Sequence, residues 1–169
     1  MAASGMSRLV SSADSSLLVV TTAAEGRRAG CLVGFHTPSS MSPEAYCFWL
    51  SKANHTYRVS LRSTHFGLHF LTAGDVALAE HFGARSGEDG EKFSGVEHEI
   101  AQSGVPLVSA LPHRMLVKRI ATLDDGGDHV CITARVVTAE SRTPFTPLRT
   151  SDVSHIVPGH DSDERVIRP

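Results

Sequence analysis

The sequence predicts a mainly β fold with short helices (α+β), of the barrel or sandwich kind, and three observations carry it. Leu17-Leu18-Val19-Val20-Thr21-Thr22 and Gly30-Cys31-Leu32-Val33-Gly34-Phe35 are β-rich runs joined across the turn signal Glu25-Gly26, which is the pattern of a hairpin. The run from His65 to Leu71 alternates Phe66, Leu68 and Phe70 with polar or small residues. The run from His129 to Glu140 places Val130, Ile132, Ala134 and Val136 on one face. At 169 residues the chain suits one domain with a terminal extension and is too short for two substantial cores.

Taken in order, residues 1–14 are small and polar, which suits a flexible arm or one that orders only against a partner subunit. Residues 15–140 form the domain. After the first hairpin, Tyr46-Cys47-Phe48-Trp49-Leu50 is too short and aromatic for a helix and reads as a strand. Asn54 to Arg62 predicts a short helix whose first-turn N–H groups donate to the Asn54 amide oxygen. A second helix follows Asp75, over Val76 to Phe82. Phe82 to Gly95 is rich in Gly and charge and reads as a loop rather than core, and Arg114 to Leu123 returns to strand character. Residues 141–169 read as an extension draped on the barrel or on a second subunit, anchored by Val153, Ile156 and Val157. No internal repeat is visible.

The formal charge of −2 balances 16 basic against 18 acidic side chains, with no long run of either sign, which argues against nucleic acid as a partner. No stretch approaches the roughly 20 apolar residues of a membrane span, and the opening residues lack the apolar core of a secretion signal. Cys31, Cys47 and Cys131 form no CxxC pair and sit in apolar runs, so they read as reduced thiols in a cytoplasmic protein. Ten histidines include no metalloprotease spacing, and His155 and His160 lie in a Pro-Gly tail, so no metal site is expected. Neither nucleotide-binding glycine fingerprint nor a nucleophilic serine elbow is present. Asn54-His55-Thr56 matches a glycosylation acceptor, which has no bearing on a chain without an export signal.

Four segments occur in a telling order. Phe35-His36-Thr37-Pro38-Ser39-Ser40-Met41-Ser42-Pro43 is a Ser/Thr-rich segment ending in Pro; Ser51-Lys52-Ala53-Asn54-His55-Thr56 joins a basic residue to small polar groups and a Thr. Gly83-Ala84-Arg85 leads to Lys92-Phe93, and Gly127-Asp128-His129 precedes the last long strand. From about Leu18 to Glu140 this order resembles the flavin reductase-like family of FMN-binding split β-barrels. The resemblance implies a Greek-key-like, homodimeric barrel with the flavin at the dimer interface. It also implies hydride transfer from NADH or NADPH to FMN, or to FAD, with reduced flavin supplied to a monooxygenase component.

Chemistry agrees with those positions. A flavin ring needs an apolar slot and donors to its polar edge, which Thr37, Ser39, Ser40, Met41, Ser42 and Pro43 would line, the small residues letting backbone approach. The flavin phosphate needs cations, hydroxyls and backbone donors, which Lys52, Asn54, His55 and Thr56 combine and which Arg85, Lys92 and Phe93 would complete. The family mechanism places His129 near the ring, orienting the nicotinamide rather than moving a proton.

Plainer readings stand beside each of these. Ser39, Ser40 and Ser42 also suit an ordinary polar loop; Lys52, Asn54 and Thr56 a capped surface helix; Arg85 and Lys92 a solvated charged loop; His129 a tight hairpin turn. Glu44 stands where the family often has a second Pro, and the tail from Thr146 lacks the usual aromatic continuation. These departures keep open a flavin- or deazaflavin-binding split barrel without nicotinamide-dependent activity, a binding or sensing module.

Overall fold

In the computed structural model, residues 2–84 and 91–157 are described. Glu25 and Gly26 both adopt left-handed backbone, with φ of 52° and 76°. A two-residue hairpin turn of type I′ needs this conformation at both positions. It folds β1 (Leu18–Ala24) onto β2 (Arg27–Val33) in a register running from Ala24↔Arg27 to Leu18↔Val33. β3 (His36–Met41) and β4 (Glu44–Ser51) form the second hairpin, and its ladder slips between Pro38 and Ser40. Pro38 has no N–H to give, and an edge strand tolerates that. The Ser-rich segment expected as a turn is therefore an edge strand as far as Met41.

Asn54 starts α2 (His55–Ser60) as expected, its Oδ1 accepting from the Thr56 N–H at 2.9 Å. β5 (His65–Phe70) and α3 (Val76–Ala84) also fall where the apolar pattern places them. β6 (His98–Ile100) and β7 (Pro106–Val108) make a separate two-stranded ribbon, and β8 (Arg114–Leu123) and β9 (His129–Glu140) are the long strands read from the sequence.

Seven strands form one antiparallel sheet in the order β2-β1-β5-β8-β9-β4-β3. Val33 of β2 and Phe48 of β4, from opposite halves of this order, share one core with Leu18, Phe66, Val117 and Ile132. The sheet thus curls around its own apolar face. The hydrogen-bonded ladder stays open, with β2 and β3 as its edges, so the expected barrel is corrected to a curled open sheet. Among the described residues, the edge strands β2 and β3 are not paired with each other across that gap.

A second core covers the other side of β1 and β2. Phe82 of α3 and Phe93 pack with Leu17, Val19, Leu111 and Leu148. Gly30 permits this approach, since a Cβ there would lie 2.9 Å from Phe82 Cε1. Phe93, expected in a loop, is thus core. The tail joins the same layer: Leu148 N–H donates to Leu71 O at 2.9 Å, and Val153 is buried in a 3-10 turn over Thr150–Val153.

At the other terminus, residues expected as an irregular arm form α1 (Gly5–Ala13), capped by Ser4 and burying no side chain. Ser, Ala and Arg support a helix well enough once Ser4 satisfies a first-turn donor. Asp14 ends it and ties it to the tail, its carboxylate accepting from Ser151 N and Oγ at 2.8 and 2.7 Å.

His69 of β5 is completely buried between the two cores. Its Nδ1–H donates to Val19 O at 3.1 Å and its Nε2 accepts from Val108 N–H at 3.0 Å, so both nitrogens are used by the neutral ring. Burial, the dominant cause, pushes its pKa down from 6.5 to about 4. The unfolded chain therefore takes up this proton first as pH falls, and the folded protein loses stability between about pH 6.5 and 4. The loss from this group is of order 3 kcal/mol. His36, also held below its ordinary value chiefly by burial, acts in the same sense. Urea midpoints should accordingly fall from pH 7.5 to pH 4.5, with a shallower fall in His69→Gln; equal slopes in the two proteins would refute the assignment.

Candidate functional site

Strand alternation divides β3, β4 and β9 into two faces. Phe48, Leu50 and Ile132 point into the main core, whereas the residues between them point away from it. Trp49 lies opposite Cys131, Cys47 opposite both Thr37 and Thr133, and Ser51 opposite His129. The Trp49 N–H donates to Phe35 O at 2.9 Å, which brings Phe35 alongside. The Phe35 ring, 46% exposed, tilts against the His129 ring with centroids 5.1 Å apart. The result is an apolar ledge of Phe35, Trp49 and Cys131 flanked by the hydroxyls of Thr37 and Thr133.

Charge gathers at one end of the ledge, where β4 runs into α2. Lys52 N–H donates to Asp128 O at 2.9 Å, and Lys52 Nζ donates to Asp124 Oδ1 at 2.8 Å. That hydrogen bond is the main reason the Asp124 carboxyl lies below its ordinary value. His129 Nδ1 donates to Asp128 Oδ1 at 2.8 Å, since an ionised carboxylate can only accept, and this bond holds Asp128 low as well. The imidazole is thereby fixed in orientation, with Nε2 as its second nitrogen. Thr56 is buried and its hydroxyl is hydrogen-bonded to the Cys31 thiol, whose pKa burial pushes up.

Deeper inside, His36 Nε2 donates to Ser16 O at 2.8 Å, so Nδ1 of the neutral ring accepts from Tyr46 OH at 2.7 Å. Burial pushes the Tyr46 phenol up to about 12. This pair pins the start of β3 under the ledge. The pair is structural scaffold, since the His36 nitrogens are both occupied, one by the Ser16 carbonyl and one by the Tyr46 hydroxyl.

Of the residues singled out in the sequence, the structure brings Lys52, Asn54, His55 and His129 to this end of β4, with Thr37 at mid-strand opposite Cys47. Ser39, Ser40, Met41, Ser42 and Pro43 form the far tip of the β3–β4 hairpin, mostly exposed. From Ala45 to Ser51 the strand spans roughly 20 Å, so that tip and Lys52 lie at opposite ends. Glu44 belongs to the tip too. Thr56 faces inward. Arg85 lies outside the described residues. Lys92, expected at the flavin phosphate or else on a solvated loop, is buried and donates to Gly30 O and Phe82 O, both at 2.9 Å. Burial pushes its pKa down. Phe93 packs against Phe82.

Sequence reasoning passed over Phe35, Trp49 and Asp124 as site residues. Period-two alternation through Tyr46-Cys47-Phe48-Trp49-Leu50 would have placed Trp49 on the face opposite Phe48. Nothing local pairs Lys52 with Asp124.

Comparison with known proteins gives a consistent picture. The family model described as "Flavin reductase like domain" matches residues 10–150. A ferric-chelate reductase (NAD(P)H) of Archaeoglobus fulgidus is 28% identical over 125 residues, 73% of this chain and 74% of that protein. An FMN reductase (NADH) of Agrobacterium fabrum is 29% identical over 125 residues, 74% of this chain and 68% of that protein. Among solved structures, an NADH:FAD oxidoreductase of Streptomyces globisporus superposes with a TM-score of 0.70 at 22% identity, covering 85% of this chain and 84% of that one.

The two settings of Lys52 and Lys92 generate opposite expectations. Lys92→Met leaves two interior carbonyls without a donor and should lower stability by about 2–4 kcal/mol, read as a reduced urea midpoint. Flavin affinity of the folded fraction should not change. Weaker flavin binding at undiminished stability would instead return Lys92 to the phosphate.

Proposed function

Because the chain belongs to the flavin reductase-like family, we propose that it is a flavin-binding oxidoreductase that passes hydride from NADH or NADPH to FMN, with FAD as the other candidate. The observation that carries this reading is the ledge of Phe35, Trp49 and Cys131, bordered by hydroxyls and ending at Lys52. A flat ring system needs an apolar surface with a few placed polar groups, and an anionic tail needs a cation beyond it. When bound, the flavin supplies the hydride-accepting ring.

The chain's own residues hold and orient. Phe35 and Trp49 would support the ring, and Thr37 lies on the same face to hydrogen-bond its polar edge. Lys52 has three donors, of which Asp124 takes one, and that pair sets the ammonium where a phosphate can meet it. Asn54 and His55 stand beside it. His129, held by Asp128, borders the ledge and would limit how a nicotinamide stacks on it; rate then depends on positioning. Glu44 bears little on the ring, being at the far tip.

The ledge is open on one side, with Phe35 46% exposed and Leu123, opposite Cys131, 63% exposed. A second copy of the chain covering these groups would complete the flavin site, which supports the homodimeric reading. Reduced flavin leaving such an interface would serve a monooxygenase component.

Trp49 is the single tryptophan of the chain, so its fluorescence reports directly on the ledge. Titration with FMN should quench it, and the protein should oxidise NADH or NADPH when flavin is present. Lys52→Ala should weaken FMN binding about tenfold, the scale of one charge-assisted hydrogen bond. Unquenched Trp49 together with no nicotinamide oxidation would reject the assignment; quenching with turnover only on a reduced deazaflavin would replace the donor.

A further inference from the structure

Where β8 begins and β9 ends, a cavity of about 470 Å³ lies at the mouth of the curled sheet. Phe70 and Met115, both packed against the main core, form its floor, and Ala139 lies opposite Met115. Phe145, from the segment after β9, closes one side. Its ring stacks on that of His113, with centroids 4.3 Å apart and 28° between the planes, and meets Phe70 edge-on at 6.5 Å. Ala139 and Cys131 are eight positions apart on β9, roughly 25 Å along a strand, so the cavity is remote from the ledge.

His113 is the polar group that the fold does not use up. It is only 7% exposed, and it lines the cavity. The Ser141 hydroxyl donates to Thr143 O at 3.4 Å, so its oxygen accepts from His113 Nδ1–H at 3.0 Å. In its neutral form the ring then presents Nε2 as an acceptor, and among the described residues no donor meets it. The charged wall is already paired: Arg114 donates to Glu99 and lies 3.7 Å from Glu140 Oε2. Two carboxylates thus offset one guanidinium, which disfavours an anionic guest. Aromatic walls and the Met115 thioether favour a flat ring, and the volume is that of a small-molecule site.

We propose that this cavity binds a small neutral phenol, its ring laid against Phe70, Met115 and Phe145 and its hydroxyl donating to His113 Nε2. A phenol is a strong O–H donor that keeps its proton at neutral pH, and its apolar body matches the rest of the lining. The site needs neither flavin nor nicotinamide, so it stands apart from the flavin reductase reading.

The probe is p-cresol, titrated into the full chain while the methyl signals of Met115 and Ala139 are followed by NMR. Both signals should shift saturably, and excess FMN should not displace the ligand. 4-Methylanisole, which has the same ring but no O–H to donate, should bind about fivefold more weakly, the scale of one hydrogen bond. His113→Phe keeps the stack on Phe145 but loses the acceptor, so it should bring p-cresol down to the affinity of 4-methylanisole. Ala139→Leu fills the cavity and should abolish binding of both, read at Met115; it decides the matter if His113→Phe fails to fold. No saturable shift in the parent, or undiminished binding in Ala139→Leu, overturns the site. Equal affinity for the two probes, or for p-cresol in parent and His113→Phe, overturns the phenol assignment. Displacement by FMN would make the cavity part of the flavin site and overturn its independence, whereas p-cresol binding in a chain that binds no flavin would leave the proposal intact and remove the flavin reductase reading alone.

Discussion

Pairing of β4 with β9 puts Phe48 opposite Ile132 and Trp49 opposite Cys131, and these two neighbouring pairs face opposite ways. One closes the main core; the other lays down the ledge. A slip of a single residue would exchange them, burying Trp49 and turning Phe48 outward. The core prevents that slip, because Phe48, Leu50 and Ile132 are almost wholly removed from water and each contributes about 1.5–3 kcal/mol by burial. The stability of the inner face therefore sets the chemistry of the outer one.

The curl of the sheet has a second consequence. With Val33 and Phe48 drawn into one core, the far sides of β1 and β2 are left needing cover, which α3, Phe93 and the tail provide. Lys92 sits within that cover, crossing from the loop after α3 to the carbonyl of Gly30. In this place the Lys92 amine is met by two backbone oxygens. Its burial is consistent with a clamp between α3 and β2, and it explains how a Gly- and charge-rich stretch can still contribute to a core.

Charge is sorted along the same lines. Lys52 and His129 are each held by an aspartate of the β8–β9 turn, so the two nitrogen donors beside the ledge come with fixed geometry rather than free rotation. Fixed donors lose little further entropy when a ligand arrives.

The amino-acid sequence by itself determined the elements: the Glu25-Gly26 hairpin, the Asn54-capped helix, the period-two strands ending in His129–Glu140, and the order of motifs that marks the family. These are local or periodic properties, and local geometry answers to them. It also marked out Thr37, Lys52 and His129, because their neighbours carry a pattern. Only the tertiary structure decided that Ser39 to Pro43 stands at the remote tip, that Lys92 and Phe93 are interior, and that Phe35 and Asp124 come to lie beside Trp49 and Lys52. Those outcomes depend on which strands lie side by side and how the sheet bends. Contacts such as Lys52 with Asp124 or Gly30 with Phe82 join residues far apart in the chain, and no short stretch of sequence encodes them.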